Sequence, residues 1–322
     1  MKIGTRKSKM ALAQTHEIIA ALEVSHAGLR VEIAENDTAG DTDQTSKLLV
    51  HGGKGGAFVA GIREMMRRGD IHMAMHSLKD VPGNEETPGL VFGAYRPRED
   101  ARDALVLPQS RTFEEFEAAQ GEGFRIGTNS VRRAAQLRRH YPGVEIIHFR
   151  GAADTRIHKL DNGIGQALPD GGTTPPADGL IMAASGLGRV GLSDRISHTF
   201  ETEDILPAAT QGIVVVECVA DDWATREKLM AISDARAALE AEAEREVLWA
   251  LDGHCNSPIA VHARLENGGL TLSAEVLSLD GQTCLRAKGT GPADQPRALG
   301  RAVALDLIGQ GALDIIERTR PA

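Results

Sequence analysis

Three stretches hold the residue types that could do chemistry. His76-Ser77-Leu78-Lys79-Asp80-Val81-Pro82 follows the alternating run Ile71-His72-Met73-Ala74-Met75 and is halted by a proline. Such a run reads as a strand delivering its next side chains into a crevice, so Ser77, Lys79 and Asp80 are presented there. Between Arg125 and Arg156 stand Arg125, Arg132, Arg133, Arg138, Arg139, Arg150 and Arg156 against only Glu145 and Asp154, in a chain of net charge −9. Something anionic belongs near that local positive field. The third stretch is Asp252-Gly253-His254-Cys255-Asn256, a polar loop in which a thiol can be reached and its thiolate stabilised. Acid–base work, anion binding and covalent attachment are therefore the options on offer.

Each stretch also has a plainer reading. Asp80 alone fits a satisfied strand-end turn, and Arg138 and Arg139 fit a solvated helix face. Cys255 next to His254 raises the idea of a Cys-His hydrolase, but a sequence neighbour does not usually fold back as the base, and no nucleophile-elbow glycines surround the cysteine. Cys218 and Cys284 lie in apolar or alternating runs and read as inert packing residues.

The elements that must position these groups follow from periodicity. Residues 2–5 read as a strand, and Ser8 is a candidate N-cap for a helix carrying Leu12, Ile18, Ile19 and Leu22. Arg6 and Ser8 then sit in a strand-to-helix turn, where free N–H groups and the helix dipole favour an anion. Thr128-Asn129-Ser130 before a helix starting at Val131 repeats that turn and places Arg132 and Arg133 in its first turn. Cations there oppose the dipole, which argues for ligand duty. Residues 29–34 read as the next strand. Residues 35–56, ending in Gly52-Gly53-Lys54-Gly55-Gly56, read as a mobile loop, either a lid or a solvated linker, and lack the Walker A spacing. A helix over 57–68 and strands over 90–94, 104–107, 125–127, 144–149, 180–184 and 213–219 give α/β layers, with crossings at 96–103 and 206–212. Residues 164–178 have turn composition and read as a surface excursion. A helix over 234–251, three alternating strands between 259 and 287, a helix over 297–307 and another near the end form a smaller α+β domain.

Length and composition set the outer limits. A chain of 322 residues suits two or three domains with their own cores. Three cysteines exclude a disulfide framework and an all-cysteine zinc site. An acidic balance with 3% aromatic residues disfavours a nucleic-acid surface. The polar start and the lack of 18 uninterrupted apolar residues predict a cytoplasmic protein with no membrane span.

Taken together, Arg6-Lys7-Ser8, the His76 to Pro82 stretch, Arg98-Glu99-Asp100-Ala101-Arg102-Asp103-Ala104, Gly127-Thr128-Asn129-Ser130-Val131-Arg132-Arg133, Leu187-Gly188-Arg189, Leu206-Pro207 through Gln211-Gly212, and Cys255 resemble the porphobilinogen deaminase (hydroxymethylbilane synthase) family. The resemblance implies two α/β domains like type II periplasmic binding proteins (1–98 with 212–231, and 99–211) and a third, α+β domain (232–322). It implies a cytoplasmic, monomeric transferase of tetrapyrrole biosynthesis that condenses four porphobilinogens head to tail and releases ammonia. A dipyrromethane cofactor would be joined to Cys255 through a thioether, and no metal is implied.

Asp80 matches the family's catalytic aspartate. Ser77, Lys79, Thr128, Ser130, Arg132 and Arg133 match cofactor-holding positions, and Arg6, Ser8, Arg150, Arg156, Arg189 and Gln211 match substrate-holding ones. Each added ring brings an acetate and a propionate, which arginine forks pair with in two-point geometry. The chain departs from the family pattern at several places. Ala152-Ala153 stand for Asn-Val after Arg150-Gly151, Lys9 for proline, Ala209-Thr210 for Val-Gly, His254 for the glycine before the cysteine, and Val50 for a lysine; the glycine loop before Phe58 is one residue longer. A diverged paralogue with an altered product, or a non-catalytic pyrrole- or anion-binding protein, is the alternative reading.

Overall fold

The computed structural model describes residues 1–36, 59–254 and 256–320. The expected loop at Gly52 to Gly56, Val50 and Cys255 itself lie outside the described residues. The rest forms strands β1 (Lys2–Arg6), β2 (Glu32–Asn36), β3 (Met73–Ser77), β4 (Leu90–Tyr95), β5 (Asp103–Val106), β6 (Arg125–Gly127), β7 (Glu145–Ile147), β8 (Gly179–Ala183), β9 (His198–Thr199), β10 (Val214–Val219), β11 (Ile259–Glu266), β12 (Gly269–Leu277) and β13 (Cys284–Pro292).

The strands make two five-stranded sheets of one topology. The first has the order β2-β1-β3-β10-β4 and the second β7-β6-β8-β5-β9. In each, the first three strands are parallel, and the fourth runs antiparallel to both its neighbours. The central strands β3, β8 and β10 are buried almost throughout, as expected of strands covered by helices on both faces. Met73 and Met75 pack with Ile3, Ile18 and Val216 on one face, while Ala74 joins Ile62 and Met66 on the other. This is the α/β arrangement, occurring twice, that the resemblance implies.

Strand β5 enters the second sheet from the first crossing, and β10 returns to the first sheet from the second. The two crossings are themselves hydrogen-bonded, Arg96 N–H to Val214 O (2.8 Å) and Glu99 N–H to Gly212 O (3.1 Å). Gly212 sits at φ +90°, and a Cβ there would lie 2.5 Å from Glu99 O, so only glycine allows this approach.

The remaining sheet is the antiparallel meander β11-β12-β13. Its core includes Val261, Leu272 and Val276 with Val247 of the helix Ala235–Ala250 and Val303 and Leu307 of the helix Pro296–Gly309. It is the smaller α+β unit expected from the sequence. Helix Ala235–Ala250 also fastens this unit to the crossings. Glu244, fully buried, accepts from Arg98 Nη1 (2.6 Å) and Ala263 N–H (2.6 Å) and also from Thr210 N–H.

One strand lies later than its alternation predicts. Leu29 and Val31 do pack against the first core, but pairing begins only at Glu32, which stands opposite Lys2, the first residue of β1. Other element ends shift by a few residues at most, the largest being the longer reach of β13.

Candidate active site

Asp80 is carried by a turn fixed from both sides. β3 ends at Ser77, and one 3₁₀ turn, Leu78–Asp80, follows with Leu78 wholly buried as its peg. Beyond it, Arg245 of the helix Ala235–Ala250 donates to Val81 O (3.2 Å) and Pro82 O (2.8 Å). At Gly83 a Cβ would stand 2.7 Å from Leu248 Cβ, so the turn can lie flat on that helix only with glycine there. Lys79 and Asp80 are left projecting into the cleft. Asp80 Oδ2 lies 3.8 Å from Arg6 Nη1, at the end of β1. Ser8 caps the helix Lys9–Ser25 by accepting from Ala11 N–H (3.3 Å), as expected.

Two cavities meet at Lys79 and Asp80. One, of about 170 Å³, is lined also by Ser77, Arg133, Arg156 and Arg189. The other, of about 130 Å³, is lined also by Ser130, Arg132, Gly253 and His254. Asp80 therefore stands between an arginine-lined chamber and the residues that precede Cys255.

The arginines of the helix Val131–His140 have a protein partner that the sequence did not disclose. Asp103, fully buried at the start of β5, accepts from Arg132 Nη2 (2.7 Å), Arg133 Nη2 (2.7 Å) and Gln211 Nε2 (2.8 Å). Burial alone would raise its pKa, but the two guanidinium groups outweigh it and hold Asp103 well below the usual carboxylate range. The opposition to the helix dipole at Arg132 and Arg133, from which ligand duty is expected, is thus offset by Asp103. Arg132 also donates to Leu206 O (2.6 Å) and is buried, which makes it an internal strut. Gln211 is fully buried, donates to Ala101 O (2.7 Å), and its Oε1 accepts from Lys79 Nζ (3.2 Å) and Arg133 Nη2 (3.2 Å). It touches protein groups and aims two cations at the cleft.

Lys79 is exposed to the cleft by accessible surface, yet protein surrounds its ammonium closely, and this crowding governs its titration. Burial first, then repulsion from Arg133, lowers its pKa to about 8 against the pull of Asp80 and Asp103. Arg156, on the helix Ala153–Asp161, is half-buried with no hydrogen-bond partner for its buried Nε among the described residues. Burial and the nearby Arg133 lower its pKa to about 10. Arg189 is tied down by Glu99 Oε1 (2.8 Å) and Gly212 O (3.3 Å). With its amide oxygen turned toward Arg189, Gln14 accepts from Nη1 (2.5 Å) and from Ser77 Oγ (3.2 Å), joining β3 to the second sheet's domain. Thr128 and Ser130 serve the turn between β6 and its helix: Thr128 Oγ1 accepts from Ser130 N–H (3.1 Å) and Ser130 Oγ from Arg133 N–H (3.4 Å). Arg150 is buried beyond β7 and does not itself line either chamber, and its N–H is held by Gln166 Oε1 (3.0 Å).

Residues 1–227 match the family model described as "Porphobilinogen deaminase, dipyromethane cofactor binding domain", and residues 238–309 match "Porphobilinogen deaminase, C-terminal domain". The chain belongs to the porphobilinogen deaminase family. It is 39% identical to "Porphobilinogen deaminase 2" of Streptomyces coelicolor, over 98% of this chain and 96% of that protein. Against the porphobilinogen deaminases of Syntrophobacter fumaroxidans and Acidithiobacillus ferrooxidans, identity is 38% and 39%, covering 98% and 100% of this chain and 97% and 99% of theirs. Among solved structures, the second substrate-binding domain of a putative amino acid ABC transporter from Streptococcus pneumoniae aligns at 14% identity and TM-score 0.42, covering 79% of this chain and 98% of that one.

A porphobilinogen deaminase needs a site for the dipyrromethane cofactor, and the cleft residues fit a polycarboxylate. Arg156 keeps a buried Nε without a hydrogen-bond partner among the described residues, and Arg133 and Lys79 line the same chamber. His254, where the family pattern has glycine, turns its ring toward the C-terminal segment. Its Nδ1 accepts from Asn256 N–H (3.3 Å), and its Nε2 lies 3.4 Å from Thr319 Oγ1. Cys218 is fully buried with its pKa raised to about 11, and half-buried Cys284 is raised as well, both mainly by burial, as suits inert thiols. Asp103, Arg245, Gln14 and Gln166 were not singled out by sequence reasoning. Only Asp103 lay in a quoted motif, and its burial was not readable there.

Proposed function

We propose that the protein is a hydroxymethylbilane synthase: it condenses four porphobilinogens head to tail with release of ammonia. The observation that carries this reading is the place of Asp80, shared by the arginine-lined chamber and the chamber beside Gly253 and His254. When bound through Cys255, dipyrromethane supplies the free pyrrole α-carbon that starts the chain. The protein's own residues do the rest. Asp80 stabilises positive charge at a pyrrole nitrogen and moves protons to departing ammonia and from the attacked carbon. Arg133, Arg156 and Lys79, together with Arg150 as the resemblance implies, hold acetate and propionate groups; Ser77 and Ser130 add polar lining, and Arg6, Ser8 and Thr128 belong to the turns beside it.

Arg132, Gln211 and Arg189 act mainly as positioning residues, because their hydrogen bonds run to Asp103, Leu206, Ala101, Glu99 and Gly212. Anchoring at Cys255 makes each addition an intramolecular encounter. The sheets are consistent with a division into 1–98 with 212–231, 99–211 and 232–322. A monomer acting in the cytoplasm on a small molecule, with no nucleic-acid partner, completes the reading; no described helix is long and apolar enough to cross a membrane. Incubation with porphobilinogen, following ammonia and uroporphyrin I, tests the proposal. No ammonia release from cofactor-loaded protein would leave a binding protein on the same scaffold.

A further inference from the structure

Within residues 164–176 only Gln166 is buried, at 2% exposure, in a segment whose turn composition predicts a surface excursion. Its Oε1 accepts from Arg150 N–H (3.0 Å) and from Lys159 Nζ (3.1 Å), while its Nε2 donates to Ala167 O (3.1 Å). The backbone around it is closed into a small hairpin. Gln166 N–H donates to Thr174 Oγ1 (2.9 Å), Thr174 N–H to Gln166 O (2.9 Å), and Ala167 bridges Thr173. A Cβ at Gly165 would lie 2.0 Å from Thr174 O, so glycine is needed for the strands of the hairpin to close.

What Gln166 grips is the turn between β7 and the helix Ala153–Asp161. The helix lacks a side-chain cap: Ala152 occupies the N-cap and makes no side-chain bond, where the family pattern carries asparagine, a strong capping residue. Gly151 stands there at φ +125°, a conformation that residues with a side chain rarely adopt. A buried amide carbonyl engaged by both a backbone N–H and an ammonium supplies the constraint from outside.

We infer that Gln166 is a positioning residue for Arg150, and that the excursion 164–178 exists to deliver it. The role in substrate binding rests on the proposed function, since Arg150 is expected to hold a substrate carboxylate; the clamp on the turn does not. The test uses the full chain with Gln166→Ala and Gln166→Glu, the second keeping an acceptor oxygen at the same reach. Two readouts are taken, amide hydrogen exchange at Arg150 and Gly151, and kcat and KM for porphobilinogen.

In Gln166→Ala, exchange at Arg150 rises on the order of tenfold, as expected for a buried amide that loses its acceptor, and exchange in β1 and β3 is unchanged. KM rises several-fold with a smaller change in kcat, and Gln166→Glu restores both. Unchanged exchange at Arg150, or an increase spread evenly over the whole chain, overturns the clamp. Raised exchange at Arg150 with KM unmoved in Gln166→Ala overturns the role in substrate binding. Should the unaltered protein release no ammonia, the functional reading falls, and the exchange comparison still decides whether Gln166 holds the turn.

Discussion

Arg6 Nη1 lies 3.8 Å from Asp80 Oδ2, so the end of β1 and the turn after β3 place opposite charges side by side at the meeting of two chambers. Asp80→Asn keeps the turn, which depends on Leu78, Arg245 and Gly83, and removes the charge. Turnover falls on the order of a hundredfold or more, the scale of losing one electrostatic contact to a reacting centre, with folding and cofactor loading unaltered. Ammonia release measures it; a rate near that of the unaltered protein would remove Asp80 from its role.

Lys79 gives the cleft a pH dependence of known sign. Its pKa of about 8 means an ammonium below that pH and a neutral amine above it. Binding of carboxylates therefore weakens as pH rises through 8, and KM for porphobilinogen climbs across that window. Lys79→Arg, charged throughout, abolishes the limb. A KM profile that keeps the same limb in the arginine variant assigns it to another group.

Two arginines that look alike in the sequence should fail differently. Arg132→Leu leaves the buried Asp103 short of a partner and costs stability on the order of 3 kcal/mol, the scale of breaking a buried ion pair. Arg156→Leu removes a guanidinium that makes no ion pair or hydrogen bond among the described residues, leaves the denaturation midpoint nearly unmoved and stalls elongation. Urea unfolding together with trapped intermediates by intact mass separates the two. Equal stability losses would contradict the division.

Thr210 marks a cost at the second crossing. It is buried at φ +62°, a region disfavoured for a β-branched residue, where the family pattern has glycine. Thr210→Gly keeps the N–H that donates to Glu244 and relieves the strain, raising stability by about 1 kcal/mol. A lower urea midpoint in the glycine variant would show that the threonine side chain contributes more than its backbone costs.

Much of the framework was legible because its signals are local. The alternation into Ser77, the cap at Ser8 and the proline after Val81 sufficed to place Lys79 and Asp80 at a strand end. The partners of the arginines were not legible, because they depend on chain segments far apart. Asp103 and Gln211 reach Arg133 only after the two crossings lie together, and nothing in a window around Arg132 foretells that its guanidinium meets a buried carboxylate. Gln166 escaped for the same reason. A glutamine in a run of glycine, proline and threonine reads as solvent-facing, and its burial goes with hydrogen bonds from Arg150 N–H and Lys159 Nζ that form only in the folded chain.

Cofactor attachment tests the central claim most directly. Protein produced with abundant porphobilinogen should exceed its sequence mass by two porphobilinogen units less two ammonia molecules. Cys255→Ala should abolish the increment, while Cys218→Ala and Cys284→Ala, each altering a thiol whose pKa is raised by burial, should retain it. A protein that carries no adduct on Cys255 under those conditions would contradict the assignment of a primer-dependent hydroxymethylbilane synthase.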